Sequence, residues 1–420
     1  MTEAVLGIDV GTSGVRVAAR GRDGAELGFA VAAMNAPITE GKALQDPQLW
    51  WDAIVQAFAK LNLNGLEILA LAIDGTSGSI VAVNGAGAPL GLSSMYNDVA
   101  EADAIAAVKA VAPRETAALG ATSPLARAIA LQKGATRILH QADWLLGKFR
   151  GRFDVSDENN ALKTGYDPLM RTWPSWIEKA GLSLSLLPQV FPAGTKVGTI
   201  LPDIATQFGL SKDVAVVTGT TDGCAAFLAS GASKPGDGVT SLGTTLTLKL
   251  LSDKPVFAPD YGIYSHRIGD QWLAGGASNS GGVVLGQYFS KADIERLSAL
   301  IDLSVASGLD YYPLPRVGER FPINDPDYAP RVEPRPDNDV KFLQGLFEGI
   351  ACIEALGYQR LAELGASPLL SIRSAGGGAA NEKWTAIRLR KLGVAAMDSA
   401  SDHAAMGTAR LAWRGIGHAD

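Results

Sequence analysis

Cysteine and histidine are scarce in this sequence, which contains two and four of them, respectively, among 420 residues. Cys224 and Cys352 are too few for a disulfide framework, and both lie in apolar helical patterns. We therefore expect two buried free thiols and a reducing compartment, the cytoplasm. The histidines, at positions 140, 266, 403 and 418, show no metal-ligand spacing, which argues against a zinc site.

The sequence also lacks a basic excess and a long apolar segment. Its net charge is −6, which argues against a nucleic-acid partner, and Arg388, Arg390 and Lys391 are interpreted as one solvated helix face. No apolar stretch approaches the roughly 20 residues that span a bilayer. The N-terminal Met-Thr-Glu-Ala runs directly into a predicted strand, so we expect neither a signal peptide nor a membrane partner.

Two common nucleotide-binding motifs are missing. No Gly-x-Gly-x-x-Gly follows the first predicted strand with an acidic residue about 20 positions later, and no Gly-x-x-x-x-Gly-Lys-Ser/Thr occurs. A phosphate-binding site in this chain would therefore depend on backbone N–H groups and a metal ion.

Glycine is abundant, with 48 residues in short clusters between apolar runs, and the length predicts two domains. Helical spacing predicts helices at 47–61, at 223–230 and from near Glu382, and residues 100–200 are expected to be mostly helical. Apolar runs predict strands at 4–10, 15–20, 69–73, 80–83, 214–217, 239–242, 246–250 and 370–373.

A weak internal repeat links the two ends of this pattern. Residues 6–17 and 239–250 each read as an apolar strand, a Gly-Thr-Ser/Thr turn and a second strand. The repeat predicts two related halves, 1–223 and 224–420, with a cleft between them.

The turns of this repeat are candidate phosphate sites. Asp9 ends a predicted buried strand and could hold Mg²⁺, while the backbone of Gly11, Thr12 and Ser13 could face phosphate oxygens. The turn Gly243-Thr244-Thr245 repeats this arrangement in the second half. An ordinary hairpin is the alternative for either turn alone, and the presence of both favours a polyphosphate site.

Two further positions could carry chemistry. Asp222 follows a buried strand and opens a helix, so it could be an N-cap or a catalytic base, and spacing alone leaves both roles open. The segment Ser374–Asn381 places three glycines, including Gly377 and Gly378, before a helix, where a flat ligand or phosphate can touch the main chain. Trp384 lies one turn later and could stack on a base; a plain glycine-rich connection with a core tryptophan is the alternative.

In this order, these motifs resemble the FGGY family of carbohydrate kinases, within the actin-like ATPase superfamily. The resemblance covers essentially the whole chain: 6–17 and 239–248 look like the two phosphate motifs, 220–223 like the catalytic aspartate segment and 374–381 like the adenosine motif. It implies an α/β fold of two actin-like (ribonuclease H-like) domains with an ATP/sugar cleft between them. The N-terminal domain would bind sugar and phosphate, and the C-terminal domain the nucleotide.

The resemblance also implies roles for single residues, with ATP and Mg²⁺ as cofactors. Asp222 would be the base, and Asp9 would contact Mg²⁺-ATP near the reacting hydroxyl. Ser77, in Asp74-Gly75-Thr76-Ser77-Gly78, would touch the sugar. The nucleotide would meet Thr12 and Ser13 at the phosphates, Thr244 at the γ-phosphate, and Gly377, Gly378, Asn381 and Trp384 around the adenosine.

Within the family, the short D-ribulokinase branch is the most similar. Its features are Asn160-Ala-Leu-Lys-x-Gly-Tyr166, residues 308–315 and residues 275–279. This implies phosphorylation of D-ribulose to D-ribulose 5-phosphate, with xylulose or another polyol as the alternative substrate.

One departure concerns the sugar contacts. Longer family members carry Trp-x-Asp-x-Arg, whereas this chain has Met95 to Glu101 without the arginine, and either Asn97 or Asp98 could replace the missing contact. A reading from another class, an actin-like protein that uses ATP to change shape for a partner, also fits the fold. A small-sugar pocket beside Asp222 would favour the kinase. The sequence leaves monomer and homodimer open.

Overall fold

A computed structural model describes residues 1–35 and 41–418. Two compact units emerge from the contacts: unit 1 comprises 1–231, 266–269 and 401–420, and unit 2 comprises 232–265 and 270–400. These units differ from the predicted halves, 1–223 and 224–420. The last helix of the chain belongs to unit 1, and the helix that follows Asp222 lies wholly within unit 1.

The strands of the described residues are mostly short and buried. They are β1 Thr2–Val10, β2 Gly14–Gly21, β3 Glu26–Ala33, β4 Leu44–Gln45, β5 Leu66–Gly75, β6 Ile80–Val83, β7 Ser93–Ser94, β8 Arg137–His140, β9 Val155–Asp157, β10 Gln189–Phe191, β11 Lys196–Thr199, β12 Ala215–Thr221, β13 Asp237–Leu242, β14 Leu246–Ser252, β15 His266–Ile268, β16 Gln271–Ala277, β17 Ser371–Ala375 and β18 Ala395–Ala396.

The α-helices of the described residues vary widely in length. They are α1 Pro47–Lys60, α2 Ala102–Val111, α3 Pro124–Leu131, α4 Gln141–Arg150, α5 Glu158–Leu162, α6 Trp176–Lys179, α7 Pro202–Phe208, α8 Asp222–Ala229, α9 Gly282–Tyr288, α10 Lys291–Ala299, α11 Asp339–Glu363, α12 Glu382–Leu392 and α13 Ala404–Gly415.

The main sheet of unit 1 has the order β11-β12-β5-β1-β2-β3. β1, β2 and β3 form an antiparallel meander, while β5 and β12 run parallel to β1. The parallel strands are buried nearly throughout and read as continuous apolar runs, as expected for strands covered on both faces. The carboxyl ends of three parallel strands therefore meet at one edge of this sheet.

In unit 2 the strands follow the order β16-β14-β13-β17-β18. β13, β14 and β16 are antiparallel, and β17 and β18 run parallel to β13. This is the same arrangement as β3-β2-β1-β5-β12 in unit 1. The internal repeat predicted from residues 6–17 and 239–250 is thus confirmed at the level of topology.

The C-terminal helix α13 packs closely on β1 and on α8. A Cβ atom on Gly7 would overlap the carbonyl oxygen of Ala405, and one on Gly407 would overlap that of Ala225. Glycine is therefore needed at both positions for the backbones to approach. This packing joins residues about 400 positions apart in sequence and explains why 401–420 belongs to unit 1.

Three sequence expectations about the fold are wrong. Residues 100–200 are not mostly helical, because short helices alternate there with loops and β8 to β11. Cys224 is buried as expected, but Cys352 lies on the exposed face of α11. Arg388 is fully buried, whereas Arg390 and Lys391 are exposed, so the three do not share a solvated face. Among residues 1–35 and 41–418, none of the helices combines the length and the hydropathy that a membrane span needs.

Candidate active site

Two buried aspartates lie side by side at the carboxyl edge of the unit 1 sheet. Asp9 of β1 pairs in register with Asp74 of β5, and Asp74 pairs with Thr220 of β12. Asp9 is 5% exposed and Asp74 is fully buried. Neighbouring strands lie about 4.8 Å apart, so the two carboxyl groups are close neighbours. β12 ends one residue after Thr220, and Asp222 begins the next helix.

The Asp9 carboxyl group has one cationic partner. The Arg16 guanidinium donates to Asp9 Oδ2 at 3.2 Å across the β1–β2 hairpin. Burial nevertheless raises the pKa of Asp9; Arg16 lowers it and the nearby Asp222 charge raises it. Asp9 therefore sits where its negative charge lacks full compensation, and a cation arriving there would be stabilised.

Asp74 was not assigned a role from sequence, although it lies in the segment that includes Ser77. The Thr408 hydroxyl of α13 donates to Asp74 Oδ2, and Oδ1 has no hydrogen-bond partner in the described part of the chain. Burial, and then the Asp9 charge, raise the pKa of Asp74 well above its usual range. The signal that could have found it is its offset: like Asp9, it stands near the end of a buried strand.

Asp222 is not the N-cap of its helix. Thr221 holds that position, and Asp222 is the first residue of α8, with Oδ1 accepting a hydrogen bond from the Gly223 N–H at 2.7 Å. The Asp222 side chain is half-buried and remains in contact with solvent. Of the two roles left open by the sequence, conventional helix capping is therefore excluded.

The first predicted phosphate turn is open to solvent. The Gly11 N–H closes the turn on the Gly14 carbonyl at 3.0 Å, and Thr12 and Ser13 are exposed. The Gln45 side-chain amide also donates to the Thr12 carbonyl at 3.0 Å. This turn is thus fixed in shape and accessible to a ligand.

Ser77 lies in the loop that follows β5. Its hydroxyl oxygen is buried and has no hydrogen-bond partner among the described residues. The preceding Thr76 is held firmly, because the Gln141 side-chain oxygen accepts from both its N–H and its hydroxyl, each at 2.9 Å. A buried hydroxyl without a partner has an energetic cost that a ligand hydroxyl would relieve.

The structure separates Asn97 from Asp98. The Asp98 carboxylate accepts from the Ala43 N–H at 3.2 Å and the Ser94 hydroxyl at 2.7 Å, and its exposed fraction is 6%. Asn97 is exposed. Arg127, a buried guanidinium from α3, donates to the carbonyl and hydroxyl of Ser94 at 2.8 Å. The Asp98 carboxylate is therefore used in hydrogen bonds within the protein, whereas the exposed Asn97 side chain is accessible to a ligand.

Unit 2 contains a cavity of about 920 Å³ within the size range of small-molecule sites. α9 and α10 form one wall, and the β17–α12 connection forms another. The predicted residues that line it are Gly243, Thr244, Gly377, Gly378, Asn381 and Trp384. Thr245, a predicted phosphate contact, is not among the lining residues in the described part of the chain. The cavity thus brings together residues from two motifs that are about 130 positions apart.

Hydrogen bonds connect both motifs, the Gly243-Thr244 turn and the segment that ends at Asn381, to the neighbouring helices α9 and α10. The carbonyls of Gly243 and Thr244 accept from the N–H groups of Gly282 and Val283 at 2.9 and 3.0 Å. Asn381 caps α12 by accepting from the Trp384 N–H, and its amide donates to the Ser298 hydroxyl at 3.0 Å. These bonds join the Gly243-Thr244 turn to α9 and Asn381 to Ser298 of α10.

Trp384 does not offer the open ring face that base stacking requires. It is 2% exposed, and its ring stacks on Phe347 with centroids 5.0 Å apart and an interplanar angle of 4°. A Cβ on Gly378 would lie 2.5 Å from the indole, so the glycine lets the loop approach the ring. Trp384 borders the cavity as part of the core, and its indole nitrogen has no partner among the described residues.

A buried ion pair holds the end of β17, which leads into the glycine-rich loop at residues 376–378. Arg388 donates to both carboxylate oxygens of Glu354 at 2.6 Å, and both side chains are fully buried. A third guanidinium nitrogen donates to the Ser374 hydroxyl at 2.9 Å, near the end of β17 and two residues before Gly376. The position of this loop therefore depends on a charge pair that includes Arg388, which the sequence interpretation had placed in solvent.

The residues of unit 1 fit a magnesium ion delivered with a nucleotide. No group of three or more histidine, cysteine or acidic side chains in residues 1–35 and 41–418 is arranged to hold a metal by itself. Mg²⁺ commonly takes one or two carboxylates and completes its shell with water and substrate phosphate. Asp9, with its raised pKa, and Asp74, with its unpartnered Oδ1, supply suitable oxygen ligands.

Comparisons with known proteins agree with this architecture. Residues 128–229 match the N-terminal domain of the FGGY family of carbohydrate kinases. A xylulose kinase of Escherichia coli (strain K12) is 25% identical over 411 residues, covering 90% of this chain and 83% of its own. A gluconokinase of Bacillus subtilis (strain 168) is 23% identical over 426 residues, covering 91% and 82%. The crystal structure of a xyloylose kinase from Brucella ovis matches with a TM-score of 0.85 at 22% identity, covering 99% of this chain and 91% of that one.

The structural match establishes a two-domain α/β fold of the actin-like ATPase type. The sequence matches show that the chain is similar to FGGY carbohydrate kinases, with residues 128–229 matching the N-terminal domain of that family. The protein is therefore an enzyme, a phosphotransferase that acts on a sugar. The alternative from another class, an actin-like protein that uses ATP to change shape for a partner, is set aside on this ground.

We predict that Arg388→Met lowers the free energy of unfolding by about 3–5 kcal/mol, because it leaves the buried Glu354 carboxylate without its partner. Chemical denaturation of both proteins measures the difference. Lys391→Met, which removes an exposed charge from the same helix, is the matched control and should change stability by less than about 0.5 kcal/mol. Equal stabilities of parent and Arg388→Met would contradict the importance of the buried pair.

Proposed function

We propose that this enzyme transfers the γ-phosphate of ATP to a hydroxyl of a small ketose, with D-ribulose as the first candidate and D-ribulose 5-phosphate as the product. The observation that carries the proposal is the carboxyl edge of unit 1, where the buried Asp9 and Asp74 are followed by the half-exposed Asp222. Phosphoryl transfer depends mainly on positioning the two substrates and on neutralising the charge of the phosphate. The residues at this edge could do both.

Asp222 is the proposed general base. It opens α8, where the Gly223 N–H fixes one of its oxygens, so the carboxylate has a defined direction. Removal of a proton from the attacking sugar hydroxyl requires a carboxylate within hydrogen-bond reach and accessible to the substrate. The half-buried Asp222 meets the second condition, whereas the fully buried Asp74 does not.

The remaining residues would bind and orient the two substrates. Asp9 would hold Mg²⁺, which would neutralise phosphate charge, and the turn at Thr12 and Ser13 would contact phosphate oxygens. The unpartnered Ser77 hydroxyl and the exposed Asn97 would contact the sugar. In unit 2, the cavity lined by Gly243, Thr244, Gly377, Gly378 and Asn381 would hold the nucleotide, with Trp384 as its floor.

Xylulose is the second candidate substrate, because several of the matching proteins are xylulose kinases. The two ketoses differ in the configuration of one hydroxyl group. Discrimination between them requires a hydrogen bond to that hydroxyl, and a site that supplies such a bond can reject the other sugar strongly. D-ribulose is placed first because of the branch-like segment at residues 160–166.

The proposal is tested by measuring ADP release from ATP and Mg²⁺ with a panel of ketoses, aldoses and polyols. We expect strong stimulation by D-ribulose, and Asp222→Asn should lower kcat by about 10²–10⁴-fold because the base is lost. Strong stimulation by D-xylulose alone would transfer the assignment to the second candidate. Slow hydrolysis that no sugar stimulates would contradict the proposed function.

A second prediction separates Asn97 from Asp98. Asn97→Ala should raise the KM for the preferred ketose about 2- to 10-fold with little effect on thermal stability, because one substrate hydrogen bond is lost. Asp98→Asn should instead lower the melting temperature, since its carboxylate is bonded inside the protein. Steady-state kinetics and thermal melts of both variants provide the measurement. An unchanged KM in Asn97→Ala, with a large increase in Asp98→Asn, would reverse the assignment.

A further inference from the structure

Two adjacent buried asparagines have no role in the site described above. Asn159 and Asn160 belong to α5, which follows β9, and their exposed fractions are 0% and 1%. Asn160 begins the segment that resembles the ribulokinase branch. Buried amides are retained where their hydrogen bonds serve a specific arrangement, so each bond is informative.

Asn160 joins α5 to the end of β12. Its amide nitrogen donates to Asp157 Oδ2 at 2.6 Å and to the carbonyl oxygen of Thr220 at 3.1 Å. Both partners are acceptors, so only a side chain with two donor hydrogens satisfies them together. An aspartate in its place would set a carboxyl oxygen against two other oxygens.

Asn159 also binds Thr220, through the threonine hydroxyl. Its amide nitrogen donates to the Thr220 hydroxyl at 3.0 Å and to the Arg267 carbonyl at 3.0 Å. Its oxygen accepts from the Arg267 N–H at 2.9 Å. Thr220 therefore accepts hydrogen bonds from two neighbouring side-chain amides, one at its carbonyl oxygen and one at its hydroxyl.

β12 needs this support because its ladder with β5 is irregular just before Thr220. The pairing shifts register between Val217 and Thr220. A Cβ on Gly219 would overlap the carbonyl oxygen of Ile73, so the strand is pressed against β5 at this point. The side-chain amides thus bond to Thr220 where the ladder resumes, two residues before Asp222.

Both asparagines are in turn held in place by Asp157, at the start of α5. Asp157 Oδ1 accepts from the N–H groups of Asn159 and Asn160 at 2.9 and 3.0 Å, which caps the helix. Burial raises the pKa of Asp157 to about 7, with the Asp143 charge as the next cause, while the bonds from Asn160 and Asn159 lower it. The helix, its cap and both amides therefore form one buried frame.

We propose that Asn159 and Asn160 are positioning residues that fix the end of β12 and thereby the direction of the Asp222 carboxylate. The inference rests on the proposed function of Asp222 as general base. A misplacement of about 1 Å in a catalytic group can cost on the order of 10²-fold in rate. The frame would therefore act on kcat and leave nucleotide binding unchanged.

Asn160→Asp tests the inference, since it keeps the size of the side chain and exchanges a donor for an acceptor. We expect kcat to fall about 10- to 100-fold with an unchanged KM for ATP. Asn84→Asp is the matched control: Asn84 is exposed in the same unit, and its side-chain oxygen accepts hydrogen bonds from the N–H groups of Ala86 and Ala88. It should retain the parent kcat.

The same substitution in an Asp222→Asn background separates positioning from general damage. If Asn160 acts through Asp222, adding Asn160→Asp to Asp222→Asn should change the residual kcat by less than about 3-fold. A full additional loss would show an independent structural effect and would overturn the inference.

Thr220→Val provides a second route if Asn160→Asp folds poorly, because it removes only the hydroxyl that Asn159 binds. We expect a smaller fall in kcat and faster hydrogen–deuterium exchange in the peptide that contains residues 218–224. Parent-like kcat and exchange in correctly folded variants would overturn the positioning role alone. A parent enzyme without sugar-stimulated ADP release would overturn the proposed function, and the inference with it.

Discussion

The pairing of three parallel strands at their carboxyl ends is the constraint on which the unit 1 site depends. β1, β5 and β12 end at one edge, which places Asp9 beside Asp74 and leads the chain from Thr220 to Asp222. Buried carboxyl groups at such proximity are costly, and here that cost is offset only in part by Arg16 and Thr408. A site held in this state would be stabilised by a bound cation, such as the Mg²⁺ proposed above.

The same strand arrangement serves a different purpose in unit 2. There the β13–β14 turn and the loop after β17 line a cavity instead of carrying paired aspartates. The loop can touch a ligand through its main chain because Gly377 has open space where a side chain would be. Its position is fixed by the buried Glu354–Arg388 pair through Ser374. One topology thus presents paired aspartates in one unit and a cavity lined in part by glycines in the other.

Much of this organisation could be predicted from sequence, because local signals determine it. Buried apolar runs located the parallel strands, and Asp9 at the end of one strand and Asp222 just after another could be identified by their position. The glycine turns at Gly11 and Gly377 were visible for the same reason. The topological repeat followed from two similar strand–turn–strand patterns.

Long-range packing explains what the sequence did not reveal. Arg388 looked like a surface charge because its partner, Glu354, lies 34 residues away on another helix. The Trp384 ring, which the sequence suggested could stack on a base, stacks instead on Phe347 of that same helix. The division into units depends on α13 reaching β1 at Gly7, and a glycine within an apolar strand did not indicate that contact. The roles of Asn159 and Asn160 were equally hidden, since their partner Thr220 is about 60 positions away.

The central claim is that Asp222 takes the proton from the phosphate-accepting hydroxyl. A crystal structure with the preferred ketose, Mg²⁺ and a non-hydrolysable ATP analogue measures this most directly. The account predicts that the accepting hydroxyl lies about 2.6–3.2 Å from an Asp222 carboxylate oxygen, the reach of a general base. An accepting hydroxyl bonded to another side chain, with Asp222 turned away from the sugar, would contradict it.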